Sequence, residues 1–129
     1  MPKKPSRKTL VRKLDTVFSK YIRQRGADKY GICTCVTCGK KLHISDRNLH
    51  CGHFISRKHY STRWDENNAA CQCGYCNTYR YGEQYKFSLY LGKDLSESLH
   101  LQSKLAVKFS NTDLVNMIND FNEKLEKLT

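Results

Sequence analysis

The sequence predicts an α+β fold: a small, turn-rich middle between helical flanks. Three observations predict it. All seven cysteines fall between residues 33 and 76, the stretch around them is short of helix formers, and apolar residues recur at helical spacing on both sides of it. A chain of 129 residues is long enough for one modest core. It divides into a basic N-terminal segment (1–29), a cysteine-organised core (30–92) and a helical C-terminal segment (93–129), with only the first few residues expected to be disordered.

Taking the elements in order, Ser6 can cap a helix that carries Leu10, Leu14, Val17, Phe18, Tyr21 and Ile22 on one face and stops near Gly26. Its other faces carry Arg7, Lys8, Arg12, Lys13, Lys20 and Arg23, either a solvated surface or a face for DNA backbone. Tyr85, Phe87, Leu89, Tyr90 and Leu91 suggest a helix ending at Gly92. Another is expected from Leu95 to Val107, with Leu95, Leu99 and Leu105 turned inward. The last begins near Asn111 or Thr112 and carries Leu114, Ile118, Phe121, Leu125 and Leu128. These stripes are core or a dimer seam, with the last helix the favoured seam.

Charge narrows the class of partner. The net charge is +11, and it is unevenly placed. Residues 1–64 hold 16 Lys+Arg against 3 Asp+Glu, whereas residues 65–129 hold 7 against 9. A polyanion-binding face explains this asymmetry better than solubility does. No stretch approaches a membrane span, and the N-terminus lacks the apolar core of a secretory signal, so a cytoplasmic protein is expected.

The cysteines sit at positions 33, 35, 38, 51, 71, 73 and 76. Without an export signal, an odd number containing two C-x-x-C pairs favours metal over disulfides. Cys35, Cys38, Cys73 and Cys76 can close a tetrahedral, structural Zn²⁺ site. Cys33, Cys51 and Cys71 compete as ligands or are small buried side chains.

Between the pairs lies "CGHFISRKHY", and "NNAACQCGYCN" follows about twenty residues on. His53 is a zinc ligand, a structural imidazole or a general base. Asn68 precedes Cys73 by five residues, and Asn77 directly follows Cys76. In the order Cys-x-x-Cys, His, Asn, Cys-x-x-Cys-Asn, the chain resembles the His-Asn-His (HNH), or ββα-metal, nucleases in the variant that ends in Asn. The spacing is also similar to that of the junction-resolving phage endonuclease VII, whose zinc clamp brackets a ββα unit. Most of the chain, through "YIRQRG", "CVTCGK", "CGHFISR", "RWDENNAACQCGYCN" and "YGEQYKFSLYL", resembles the NinG/Rap family of lambdoid phage recombination proteins.

That resemblance implies a structure-specific endonuclease acting on branched recombination intermediates, such as four-way junctions and D-loops, inside the host cell. Hydrolysis of a phosphodiester needs an activated water, a charge stabiliser and help for the departing oxygen. A neutral His53 can take the proton, and a divalent ion, Mg²⁺ with Mn²⁺ as a substitute, can counter the developing charge. The resemblance places Asn77 on that ion and gives Asn68 the support of the loop that orients His53. The residue before the base is acidic in many relatives and is Gly52 here. His50, Asp65 and Glu66 are candidates to complete the shell, with Asp65 preferred as a hard oxygen donor. Arg57, Lys58 and Arg63, with Arg12, Lys13 and Arg23 on the first helix, are expected at phosphates. His59 is a surface or phosphate-contacting residue, and Trp64 belongs to the core. A homodimer suits two symmetric cuts. The rival reading is a zinc-dependent DNA-binding or architectural protein without catalysis.

Overall fold

A computed structural model describes residues 3–128. The expected disorder of the N-terminus falls partly on residues 1 and 2, outside that range. The chain runs through α1 (Arg7–Arg25), β1 (Ile32–Thr34), β2 (Lys41–His43), β3 (Leu49–His53), a single-turn α2 (Tyr60–Arg63), β4 (Ala69–Cys73), α3 (Gln84–Leu91), α4 (Lys93–Ser103) and α5 (Asn111–Lys127). A 3₁₀ turn, Glu66–Asn68, leads into β4, and a π-helical turn, Tyr75–Tyr79, follows it. The α+β expectation holds, with two small antiparallel sheets pairing β1 with β2 and β3 with β4.

Helix α1 starts where the Ser6 hydroxyl accepts from the Thr9 N–H at 3.2 Å and ends before Gly26. That position is a close approach as well as a helix end, because a Cβ there would lie 2.6 Å from the Cys71 Sγ. The apolar stripe Leu10, Leu14, Val17, Phe18 and Ile22 is fully buried. It packs against α5, where Phe121 meets Phe18 edge-on at 5.1 Å, and on Trp64 and Ala69. Each such side chain contributes roughly 1.5–3 kcal/mol by leaving water. One hydrophobic cluster therefore crosses all three sequence segments.

Two expectations are corrected. Helix α4 ends at Ser103, short of Val107, and Leu105 is 62% exposed instead of core. The Ser103 hydroxyl bonds the His100 carbonyl, and Lys104 and Leu105 close tight turns back onto Leu101 and Gln102. The chain then leaves to place Phe109 against Trp64 and to open α5 with a capping box between Ser110 and Asp113. Of the two alternatives for the α5 stripe, its packing is that of core. Leu114 and Phe121 are buried, and Ile118 and Leu125 pack on the same cluster.

A second cluster holds Leu42 and Leu49 with Cys33, Cys35, Cys71, Cys73 and Cys76. So few aliphatic carbons bury too little apolar surface to order these strands unaided, and a metal would make up the difference.

Candidate functional site

The turn after β1 carries Cys35 and Cys38, and the end of β4 with the π-helical turn carries Cys73 and Cys76. Their four Sγ atoms all lie within 4.8 Å of one another, with Cys38 and Cys73 at 3.7 Å. Four sulfurs about 2.3 Å from a tetrahedral Zn²⁺ stand roughly 3.8 Å apart, so the cluster fits that ion. Burial would raise the Cys35 thiol. Hydrogen bonding from the Thr37 hydroxyl, 3.3 Å away, and from nearby backbone outweighs this and brings it down to about 6.

Cys33, Cys51 and Cys71 stand outside this group. Burial pushes Cys51 and Cys71 up to about 12, which keeps them as thiols. Cys33 and Cys71 turn their sulfurs to the last carbonyls of α1, Cys33 to Arg23 at 3.4 Å and Cys71 to Ile22 at 3.9 Å. The Cys71 sulfur also lies 3.7 Å from the Arg23 carbonyl, so both thiols face that helix-end oxygen, while the Ile22 carbonyl already accepts the Gly26 N–H at 3.1 Å.

Strand β3 borders, along its length from Leu49 to His53, a cavity of about 730 Å³, lined by His50, His53, Asn77, Arg57, Arg23 and Asp15 among others. Pairing of β3 with β4 sets His53 opposite Ala69, with the imidazole 5.7 Å from the Phe18 ring. Its Nε2 lies 3.0 Å from the Arg63 carbonyl oxygen. A carbonyl only accepts, so Nε2 carries the hydrogen and Nδ1 keeps its lone pair. Burial disfavours the cation and lowers the His53 pKa to about 4, against the opposing pull of the Arg63 carbonyl.

Asn68 is fully buried and clamps the loop that carries Arg63. Its Oδ1 accepts from the Ile55 N–H at 2.8 Å, and its Nδ2 donates to the carbonyls of Ile55 and Thr62 at 3.1 and 3.0 Å. The loop between β3 and β4 is thereby stitched one residue before the carbonyl that holds His53.

Asn77 Nδ2 donates to His50 Nδ1 at 3.1 Å. This orients the amide and leaves Oδ1 as its oxygen donor. The structure does not bring Asp65 to this cavity. Its carboxylate accepts from the Asn67 N–H at 2.9 Å and lines a separate cavity with Arg25, Glu66 and Lys124. Glu66 is paired there with Lys124 at 2.7 Å and Arg25 at 3.6 Å. Gly52 lies diagonally across the sheet from Gln72, and a Cβ on it would sit 2.1 Å from the Gln72 Oε1. Gln72, buried and bonded to Thr37 and Gly82, fills the space that a side chain at position 52 would need.

The carboxylate that does line the His53 cavity is Asp15, which the sequence reading did not single out. It accepts from Arg63 Nε at 3.1 Å, Arg63 Nη2 at 2.6 Å and Trp64 Nε1 at 3.0 Å. Its signal was present in the sequence: it is the sole acid in the first 27 residues, at helical spacing from Ser19 and Arg23. Besides Asp15, the side-chain oxygens lining the cavity are those of Asn77, Ser19, Ser56, Tyr81 and Gln84.

The expected phosphate contacts divide. Arg23 and Arg57 line the cavity, and Arg57 also pairs loosely with Asp15 at 3.9 Å. Arg63 is locked, its side chain 16% exposed between Asp15 and the Arg57 carbonyl. Arg12 and Lys13 flank a shallow groove between α1 and α5, and Lys58 borders another cavity with His59. Trp64 is buried, as expected.

The model of the family described as Bacteriophage Lambda NinG protein matches residues 3–129. The chain belongs to the NinG family. Membership suggests a phage protein related to recombination. No curated protein and no solved structure matches it. Among the described residues of this NinG-family chain, no helix is long and apolar enough to cross a membrane.

Proposed function

We propose that this protein is a structure-specific DNA endonuclease that hydrolyses phosphodiesters in branched recombination intermediates such as four-way junctions and D-loops. The observation that carries the proposal is His53. Its Nε2–H is fixed by a backbone carbonyl, its Nδ1 lone pair makes no hydrogen bond among the described residues, and it shares one cavity with Asn77, Arg23 and Arg57.

In this reading, His53 Nδ1 takes the proton of the attacking water. Arg23 and Arg57 hold the phosphates on either side of the cut. Asn77, oriented by His50, would hold the divalent ion. That ion, Mg²⁺ or Mn²⁺, would stabilise charge on the scissile phosphate and the departing 3′ oxygen. Asn68 and Asp15 act through Arg63 and are positioning residues. The strand order β3–β4 followed by the Asn77 turn and α3 supports the HNH-like ββα reading. The zinc-binding cysteines tie that unit to β1 and β2 without taking part in hydrolysis, because four thiolates leave no open position on the ion. Two symmetric cuts on a junction need two such sites, so the reading carries a homodimer. Affinity rests on phosphates and falls steeply with salt.

One observation favours the rival, a DNA-binding module without catalysis: the sole carboxylate lining the cavity among the described residues is tied to Arg63 and Trp64. An end-labelled four-way junction beside a matched linear duplex, with Mg²⁺ or without it, separates the two. Junction cutting that needs Mg²⁺ and vanishes in His53→Ala, with binding retained, supports the nuclease. Tight junction binding without cutting under any divalent ion would overturn it in favour of the module.

A further inference from the structure

We propose that Tyr81, at the mouth of the His53 cavity, forms with Tyr79 and Tyr75 a ledge on which unpaired bases of single-stranded DNA stack. The inference rests on the DNA-binding part of the reading above and adds how a branch is told from a duplex.

Tyr81 is 89% exposed, Tyr79 76% and Tyr75 58%. None of the three belongs to either hydrophobic cluster. Tyr75 and Tyr79 lie with ring centroids 5.9 Å apart at 37°, and the Arg80 guanidinium sits 5.0 Å from the Tyr75 ring. Tyr81 also adopts φ 54°, in the left-handed region, followed by Gly82 at 84° and Glu83 at 49°. A bulky aromatic is an uncommon occupant of that region, which glycine or asparagine fills more easily. Neither turn formation nor core packing accounts for an aromatic at this place.

The turn is firmly anchored. The Gly82 N–H donates to the Cys76 carbonyl at 2.8 Å, and the Gly82 carbonyl accepts from the buried Gln72 Nε2 at 2.7 Å. Tyr81 is thus presented beside Arg23 and Arg57 as a preformed surface. Exposed aromatics next to a cationic groove make up the recognition chemistry of single strands, in which base faces stack and phosphates pair with arginine. Bases within a duplex are stacked on each other and offer no free face. Continuity with the cavity and its two arginines favours DNA over a second copy of this chain.

The test uses the full chain carrying His53→Ala, so that no cutting confuses binding, with a forked DNA bearing 2-aminopurine in its unpaired arm and a matched duplex. We expect Tyr81→Ala to weaken fork binding roughly tenfold and to abolish the 2-aminopurine quenching. Tyr81→Phe should retain both, and duplex affinity should stay unchanged. Equal fork affinity and quenching in the parent and Tyr81→Ala would overturn the inference. So would loss of self-association on sedimentation with fork binding intact, which would give the ledge to a second copy. Junction cleavage by the unsubstituted chain reports on the nuclease reading separately: Tyr81-dependent stacking in a chain that does not cut would sustain this inference alone.

Discussion

His53 gives its Nε2 hydrogen to the carbonyl of Arg63, ten residues on, at 3.0 Å. This one bond settles the tautomer and couples the imidazole to a loop held from two other sides, by Asn68 through Thr62 and Ile55 and by Asp15 through the Arg63 side chain.

The first prediction concerns pH. Burial lowers the His53 pKa to about 4, so the imidazole of the free protein stays neutral through the range where an ordinary histidine protonates. A base works when neutral, so kcat/KM for junction cleavage should hold as pH falls through 6.5 and drop only as it nears about 4. A bound phosphodiester favours the imidazolium, so the acid limb of kcat should lie at higher pH than that of kcat/KM. An acid limb of kcat/KM at the ordinary imidazole value would show that burial does not lower the His53 pKa in the free protein.

Asn68→Ala removes one acceptor and two donors, leaving the Ile55 N–H and the Ile55 and Thr62 carbonyls without their partner. A loss of about 3 kcal/mol in urea unfolding is expected. In the proposed reaction both cleavage and junction affinity should fall, because the loop carries Arg57 as well as the carbonyl that holds His53.

Gly52→Ala should destabilise the protein by about 1–3 kcal/mol, since the new Cβ meets Gln72 Oε1 at 2.1 Å. Gln72→Ala has its own cost through the lost bonds to Thr37 and Gly82. The double variant should cost less than the two single changes added, and strict additivity would show that the contact is not what requires glycine.

Metal removal gives the fourth. Native mass spectrometry should find one zinc per chain, retained in Cys33→Ser and Cys51→Ala and lost in Cys73→Ser. Chelation should melt the strands while leaving much of the α1–α5 helical signal, because the two hydrophobic clusters are distinct. Sites of this type contribute about 10–16 kcal/mol to folding. Two zinc ions per chain would bring the remaining cysteines into the ligand set.

The sequence by itself determined the features that depend on near neighbours. Two C-x-x-C pairs mark a four-thiolate cluster because each pair forms a short turn whatever surrounds it. The stripe from Leu10 to Ile22 and the start of α5 are readable because helical period and capping act within a few residues. Family membership follows from the same linear text. What required tertiary structure was which side chains meet across elements. The docking of α1 on the β3–β4 hairpin brings Asp15 to Arg63, 48 residues away. The 3₁₀ turn before β4 carries Asp65 to another cavity, and the diagonal from Gly52 to Gln72 emerges only once the strand register is set. Helix α4 stops before Leu105 because the chain must turn to place Phe109 on Trp64, a long-range demand that overrides local spacing. Sequence spacing encodes short-range geometry, whereas contacts between distant residues depend on how whole faces pack, and packing is a property of the assembled chain.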